Sequence, residues 1–178
     1  MDDKTVSVPK VSQFIDGFIR YIGKVTCWLN SILVINILIQ VILRYALGEG
    51  KIWLEELQWH FYGICLMLAI PYCIVDDAHV RLDILHRNFS IRKKEFVEFF
   101  GTIFLIFPLI IVLFMHGLDF VESAIRVNET SPHPLGLPWR WFIKSFIPTG
   151  MFLIILASFS RMVRAAAVIF FGNKDMGK

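Results

Sequence analysis

Ionisable side chains stand at both ends of one long apolar stretch. Glu55 and Glu56 precede it, and His79, Arg81 and Asp83 follow it. Carboxylates in the first turn of a helix suit the positive end of the helix dipole, and they also suit an ion pair at a membrane edge. Because adjacent residues on a helix point about 100° apart, the two carboxylates cannot serve one partner equally. We expect one to face the chain's own helices and the other to face a partner.

The preceding apolar segment offers a cation for this acidic pair. Asn36, Gln40 and Arg44 recur at every fourth position and therefore share one helix face. Polar atoms that face lipid are unfavourable, so this stripe is expected to face other helices. Arg44 lies nearest the turn that leads to the carboxylates, which makes it a candidate partner across that turn.

The set after the apolar stretch has a different pattern. His79, Arg81 and Asp83 alternate with apolar residues over 78–84. The pattern indicates either an interface with a partner or a loop that folds back onto the membrane surface. A metal site is not favoured, because the segment lacks a second cluster of strong ligands.

Two histidines raise the question of a cofactor. His60 and His116 each lie near one end of an apolar helix, at what the sequence suggests is a similar depth. Two such imidazoles could hold a haem between helices, as in a membrane cytochrome. The alternative interpretation is a pair of hydrogen-bonded residues near the membrane surface.

The composition places these side chains on membrane-spanning helices. Of the 178 residues 56% are hydrophobic and 19% are charged, and the apolar residues fall in four long runs. The net charge of +3 is small and the basic residues are dispersed, which gives nucleic-acid binding little support. Cys27, Cys65 and Cys73 have no CxxC spacing and are expected to be free thiols. No cleavable signal peptide is expected, and the first span would serve as an uncleaved signal.

The pattern of apolar runs predicts an all-α integral membrane protein of one domain. We expect an amphipathic interfacial helix at about residues 9–24. Four spans are expected to follow at about residues 25–47, 55–75, 96–118 and 139–160. The alternative is that residues 9–24 simply extend the first span, since no helix breaker separates the two. Pro108 predicts a kink in the third span, whose helical pattern continues to about Arg126. Residues 128–138 read as a loop, and the apolar residues 165–171 are expected to extend the last helix.

The distribution of basic residues predicts the orientation. Lys and Arg are concentrated in residues 1–24, 76–94 and 161–178, and they are sparser in 44–52 and 126–144. Cytoplasmic segments carry the excess of basic residues, so both termini are expected in the cytoplasm.

The spans themselves offer little chemistry. No Asp or Glu lies well inside any of them, and no internal repeat with broken helices is apparent. A small multidrug-type exporter, the other alternative beside a cytochrome, would need such an embedded carboxylate. The absence favours a subunit that works with a partner, and no enzyme activity is expected.

Several motifs, taken in order, resemble the small membrane subunit of tripartite ATP-independent periplasmic (TRAP) transporters. They are Arg-Tyr at 44–45, Trp-Leu-Glu-Glu-Leu at 53–57 and Ala-His-Val-Arg-Leu-Asp at 78–83. The later residues 128–138 and 141–150 resemble the branch often labelled mannitol/chloroaromatic-type. The resemblance covers about residues 32–160.

The resemblance implies a partnership in the bacterial inner membrane. It implies a large membrane subunit that holds the sodium and solute sites, and a soluble periplasmic binding protein that delivers an organic acid or similar solute. This chain would brace the large subunit, sit among membrane lipids, hold no cofactor and contribute to docking of the binding protein. Residues 49–53, which include Trp53, and residues 129–139 are the expected docking segments. Charge reversal at Glu129 or Arg140 is then expected to weaken docking.

Overall fold

The computed structural model describes residues 9–76 and 91–171, and these ranges fold as a helical bundle. Within these ranges the α-helices are α1 (Lys10–Ala46), α2 (Ile52–Val75), α3 (Ile91–Gly101), α4 (Phe107–Arg126) and α5 (Arg140–Phe171). A π-helical turn, Thr102–Ile106, joins α3 to α4 into one long helix. Four of the resulting segments are long and apolar enough to cross a membrane: Lys10–Ala46, Ile52–Val75, Lys93–Arg126 and Arg140–Ile169. The predicted all-α membrane fold with four spans is confirmed.

The first helix contains both the segment at about residues 9–24 and the first span, which the sequence left as two possible helices. Helix α1 runs without a break from Lys10 into the first span, which agrees with the continuous alternative. The position of residues 9–24 at the membrane surface stays a prediction. After Pro9 no proline interrupts α1, and Gly17 and Gly23 are tolerated within a helix. It ends at Ala46, and Gly48 beyond it has a φ of +69°, the left-handed conformation typical of a residue just past a helix.

The third span shows how a proline is accommodated. Pro108 has no N–H, and its ring crowds the carbonyl one turn earlier. Just before it the helix widens into the π-helical turn Thr102–Ile106, then returns to α-helix and continues to Arg126. The expected kink therefore takes the form of a local widening, and the expected continuation to Arg126 is confirmed.

Helix α5 lies at the centre of the bundle, in contact with α1, α2, α3 and α4. A core of Ile64, Leu68 and Leu153 joins α2 to α5. A small residue lets the backbones of α2 and α5 approach closely at Gly150. A Cβ at this position would lie only 3.0 Å from Met67. The last apolar residues extend α5 to Phe171, as the sequence predicts.

The bundle has two chemically different ends. We call the end with the α1–α2 turn and residues 127–139 the loop end, and the end with the start of α1 and the end of α5 the terminal end. At the terminal end Ser12 Oγ lies 2.6 Å from Ser160 Oγ, and the Ser160 hydroxyl donates to Asp16 at 2.6 Å. Arg164 pairs with the same carboxylate at 3.3 Å. This buried polar contact holds the first helix against the last.

Candidate functional site

The loop end is organised by the carboxylate of Glu56. Its Oε1 accepts a hydrogen bond from the Ser131 hydroxyl, and its Oε2 accepts one from the Leu137 N–H at 2.6 Å. Gly136 lies directly against this contact, because a Cβ there would overlap Ser131 and approach the carboxylate. Both oxygens of one side chain on α2 are therefore occupied by the loop between α4 and α5.

The same loop also closes on itself through its backbone. The Ser131 N–H donates to the Leu137 carbonyl at 3.3 Å, and the Arg140 N–H donates to the Glu129 carbonyl at 3.1 Å. Trp139 adopts a left-handed φ of +63°, which is strained for a bulky side chain. A residue keeps such a conformation when its surroundings determine it, so the junction of the loop with α5 is tightly held.

In addition to the contact with Glu56 on α2, an ion pair fastens the loop to α5. The Glu129 carboxylate accepts a hydrogen bond from the Lys144 ammonium group and lies 3.7 Å from Arg140. Lys144 also lies over the ring of Phe120, 3.9 Å from the ring centroid, in cation–π geometry. The Lys144 side chain is 17% exposed, so this contact is partly shielded from solvent screening.

The α1–α2 turn carries the contact expected between Arg44 and the acidic pair. Arg44 lies 3.4 Å from Glu55, and both side chains are more than half exposed. Deeper along the stripe, the Gln40 amide donates to the Lys51 carbonyl at 3.3 Å and the Asn36 amide to the Leu54 carbonyl at 3.4 Å. The expected stripe therefore faces the start of α2.

The two adjacent carboxylates thus have different surroundings, as their 100° separation requires. Glu56 points into the chain's own loop, whereas Glu55 stays near the surface beside Arg44. The expectation of one inward carboxylate is met by Glu56. Contact of Glu55 with a partner protein stays a prediction. Contact of Trp53 with a partner also stays a prediction, and its side chain is 45% exposed.

An open cleft of about 350 Å³ lies between the start of α2 and the loop. Its lining residues are Ile52, Glu55, Glu56, Trp59, His60, Pro132, His133 and Arg140. His60 reaches the Glu56 carbonyl through Nδ1 at 2.6 Å. His116 does not line this cleft, and its Nδ1 lies 3.6 Å from Asp119 one turn further along the same helix. The two histidines have different neighbours, so the geometry gives the haem interpretation no support.

The sequence-derived candidates separate into two groups. The first lies at the loop end: Arg44, Trp53, Glu55, Glu56, Glu129 and Arg140. The five charged ones have partners inside the chain, so any contact they make with another protein stays a prediction. The candidates His79, Arg81 and Asp83 lie outside the described residues.

Sequence reasoning missed the partners of these carboxylates. Ser131 and Gly136 stand in a segment that reads simply as a loop, and nothing local marks them as neighbours of Glu56. Lys144 carried a clearer signal, because it follows Arg140 by one helical turn and opens an apolar span where an unpaired ammonium group would be costly. Within residues 9–76 and 91–171 no group of three or more His, Cys, Asp or Glu side chains could hold a metal ion.

Comparison with protein families gives a match over most of the chain. Residues 33–168 match the family model described as "Tripartite ATP-independent periplasmic transporters, DctQ component". The matched range contains α2, α3 and α4 whole, together with the later part of α1 and most of α5. No curated protein and no solved structure matches the chain.

Proposed function

The chain belongs to the DctQ component family of tripartite ATP-independent periplasmic transporters, and we propose that it is the static brace and part of the docking platform in a sodium-coupled uptake system. As a member of this family it is the small, multi-pass inner-membrane subunit of a transporter and belongs to no enzyme family. The finer proposal is that it holds the large membrane subunit in place. A periplasmic binding protein would deliver organic acids or related solutes to that complex.

The docking part of the proposal rests on the doubly fastened loop. Glu56 holds it to α2, and Glu129 holds it to α5 through Lys144. A surface that is ordered before it meets its partner loses less conformational entropy on binding. The apolar side chain of Leu135 is 72% exposed within this ordered segment, which makes it available to a soluble partner.

The brace part of the proposal rests on what the spans lack. Each of the four spans has a long central stretch without Asp, Glu, Lys or Arg: residues 25–43, 57–75, 99–118 and 145–160. Ion-coupled carriers commonly place ionisable groups near the middle of the bilayer, on the pathway of the ion. Sodium coupling and solute binding are therefore assigned to the large subunit. The same lack counts against a small multidrug-type exporter.

Docking is tested by placing a charge on the loop. Leu135→Glu is reconstituted with the large subunit, and initial uptake rates are measured against the concentration of binding protein. We expect a higher half-saturating concentration with an unchanged maximal rate. Val127→Glu is the matched control, because Val127 is 69% exposed at the end of α4 but outside residues 129–139. Equal effects of the two changes would contradict docking through the loop.

The brace is tested by reconstituting this chain by itself. Liposomes that contain it alone are expected to accumulate no solute in a sodium gradient. The complete three-protein system is expected to do so. Sodium-dependent accumulation by the chain alone would refute the proposal.

A further inference from the structure

A second surface of the molecule, distant from the loop end, lies at membrane depth between α1 and α2. This α1–α2 groove has a volume of about 330 Å³ and is open to the outside of the bundle. Among its lining residues are Cys27 and Asn30 from α1 and Tyr62, Leu66 and Ala69 from α2. The groove has no part in the loop contacts described above.

The position of Asn30 on α1 places the groove in the hydrocarbon. Lys24 and Arg44 bound the uncharged part of α1 and lie about 30 Å apart along the helix, the thickness of the hydrocarbon core. Asn30 lies between them, about 9 Å from the nearer one. Tyr62 lines the same groove and stands ten residues into α2, about 15 Å from its start.

The groove exposes polar groups that lipid cannot satisfy. Asn30 is exposed and Tyr62 is 53% exposed, and neither the Asn30 amide nor the Tyr62 hydroxyl has a hydrogen-bond partner in the described part of the chain. Other hydroxyls nearby are satisfied within α1, since Thr26 donates to the Ile22 carbonyl at 2.9 Å and Ser31 to the Cys27 carbonyl at 3.2 Å. An amide or hydroxyl left without a partner in hydrocarbon is costly, so Asn30 and Tyr62 call for a partner that hydrogen-bonds.

The outward face of α4 has the opposite character. Its exposed side chains around the depth of Leu66 are apolar: Leu109, Ile111, Val112, Leu113 and Met115. Nearer the loop end, His116 and Asp119 are exposed but lie 3.6 Å from each other. Acyl chains cover such a face without leaving any polar atom unsatisfied. At this depth the groove therefore exposes polar groups without a partner, whereas the α4 face exposes only apolar side chains.

We propose that the α1–α2 groove receives a transmembrane helix of the large subunit, and that the α4 face meets lipid. This inference rests on the proposed function for the existence of that partner and adds where it binds. The occupying helix carries a Ser, Thr, Asn or Gln side chain that hydrogen-bonds with Asn30 and Tyr62. A helix is favoured over a lipid tail because an acyl chain offers no donor or acceptor.

The test compares two positions of equal depth. A benzophenone amino acid replaces Leu66, which lines the groove and is 44% exposed, or Val112, which is 53% exposed on α4. Each lies about 21 Å along its helix from the loop end. Both variants are co-expressed with the large subunit and irradiated in the membrane. We expect an adduct with the large subunit from position 66 and none from position 112.

A second measurement tests the hydrogen bonds. Asn30→Leu is expected to weaken association with the large subunit in nanodiscs by about threefold, the size of one interhelical hydrogen bond in a membrane. Ser31→Leu is the matched control, because the Ser31 hydroxyl is already bonded within its own helix. It is expected to leave the dissociation constant unchanged.

The possible failures are distinguishable. An adduct with the large subunit from position 112 but not 66 would overturn the inference and leave the proposed function standing. An adduct of position 66 with lipid or with a second copy of this chain would overturn it in the same way. If the large subunit does not associate with the wild-type chain at all, the proposed function fails, and this inference fails with it.

Discussion

Replacing Glu56 by Gln isolates the contact that holds the α4–α5 loop. The change keeps the size of the side chain and removes its charge. At present both carboxylate oxygens accept hydrogen bonds, from Ser131 and from the Leu137 N–H. A carboxamide has one accepting oxygen and one donating nitrogen. If the oxygen keeps the Leu137 N–H, the nitrogen faces Ser131, whose hydroxyl must then accept instead of donate.

The expected cost follows from the strength of these bonds. A hydrogen bond to a charged group contributes about 1.5–3 kcal/mol, and a neutral one about 0.5–1.5 kcal/mol. Two weakened bonds therefore cost about 2 kcal/mol, reduced somewhat because the contact is only partly buried. Since 1.4 kcal/mol corresponds to a factor of ten, amides of residues 129–139 should exchange with deuterium about 10–30 times faster. Helices α1 and α2 are expected to keep their wild-type protection.

The neighbouring Glu55→Gln is the matched control. Glu55 pairs with Arg44 at 3.4 Å on an exposed surface, where an ion pair contributes about 0–1 kcal/mol. Exchange in the loop is expected to change less than twofold in this variant. The reasoning is refuted if both variants accelerate exchange of the Leu137 amide equally, or if Glu56→Gln leaves it unchanged.

Three further predictions concern other parts of the chain. Reporter fusions after Leu85 are expected to report the cytoplasm, and fusions at His133 the opposite side; the reverse pattern would contradict the predicted orientation. The pKa of the Asp76 carboxyl is lowered by a hydrogen bond from Tyr72 and by Arg20, so its stabilising contribution is present above the pKa of the unfolded chain and lost as the pH falls through the lower folded value. Thermal stability of Arg20→Gln should accordingly depend less on pH below about pH 4 than that of the wild type. The purified chain is expected to show no Soret absorbance, and a Soret band would revive the haem interpretation.

Apolar runs were sufficient to predict the helices, because a chain in lipid must satisfy its backbone within each span. The sequence left the start of α1 open, since hydrophobic periodicity does not tell a helix on the membrane surface from one that continues into it. In the structure α1 is unbroken, and its start is held to α5 by the contact of Asp16 with Ser160, two residues 144 positions apart. Such pairs depend on how helices align, which local pattern does not encode.

The candidate site also contains some contacts that the sequence predicts and others that it does not. The spacing of Asn36, Gln40 and Arg44 predicted which face of α1 turns inward, because helix geometry fixes that face. It could not predict the partners of Glu56, since a loop of Gly, Pro and Ser residues permits many conformations. In the structure the loop backbone at Gly136 comes close to Ser131 and the Glu56 carboxylate, which is possible because Gly136 has no side chain.

The two anchors of the loop bear on how a small subunit could act as a brace. Glu56 belongs to α2 and Lys144 to α5, and these two helices share the core of Ile64, Leu68 and Leu153. A force applied to the loop would therefore be transmitted, through the hydrogen bonds of Glu56 and the ion pair of Glu129 with Lys144, into two helices that are already packed together. The α1–α2 groove opens on the same α2. The proposed docking surface and the proposed site for the large subunit are thus both attached to α2, which would keep the binding protein and the large subunit in register while the solute passes between them.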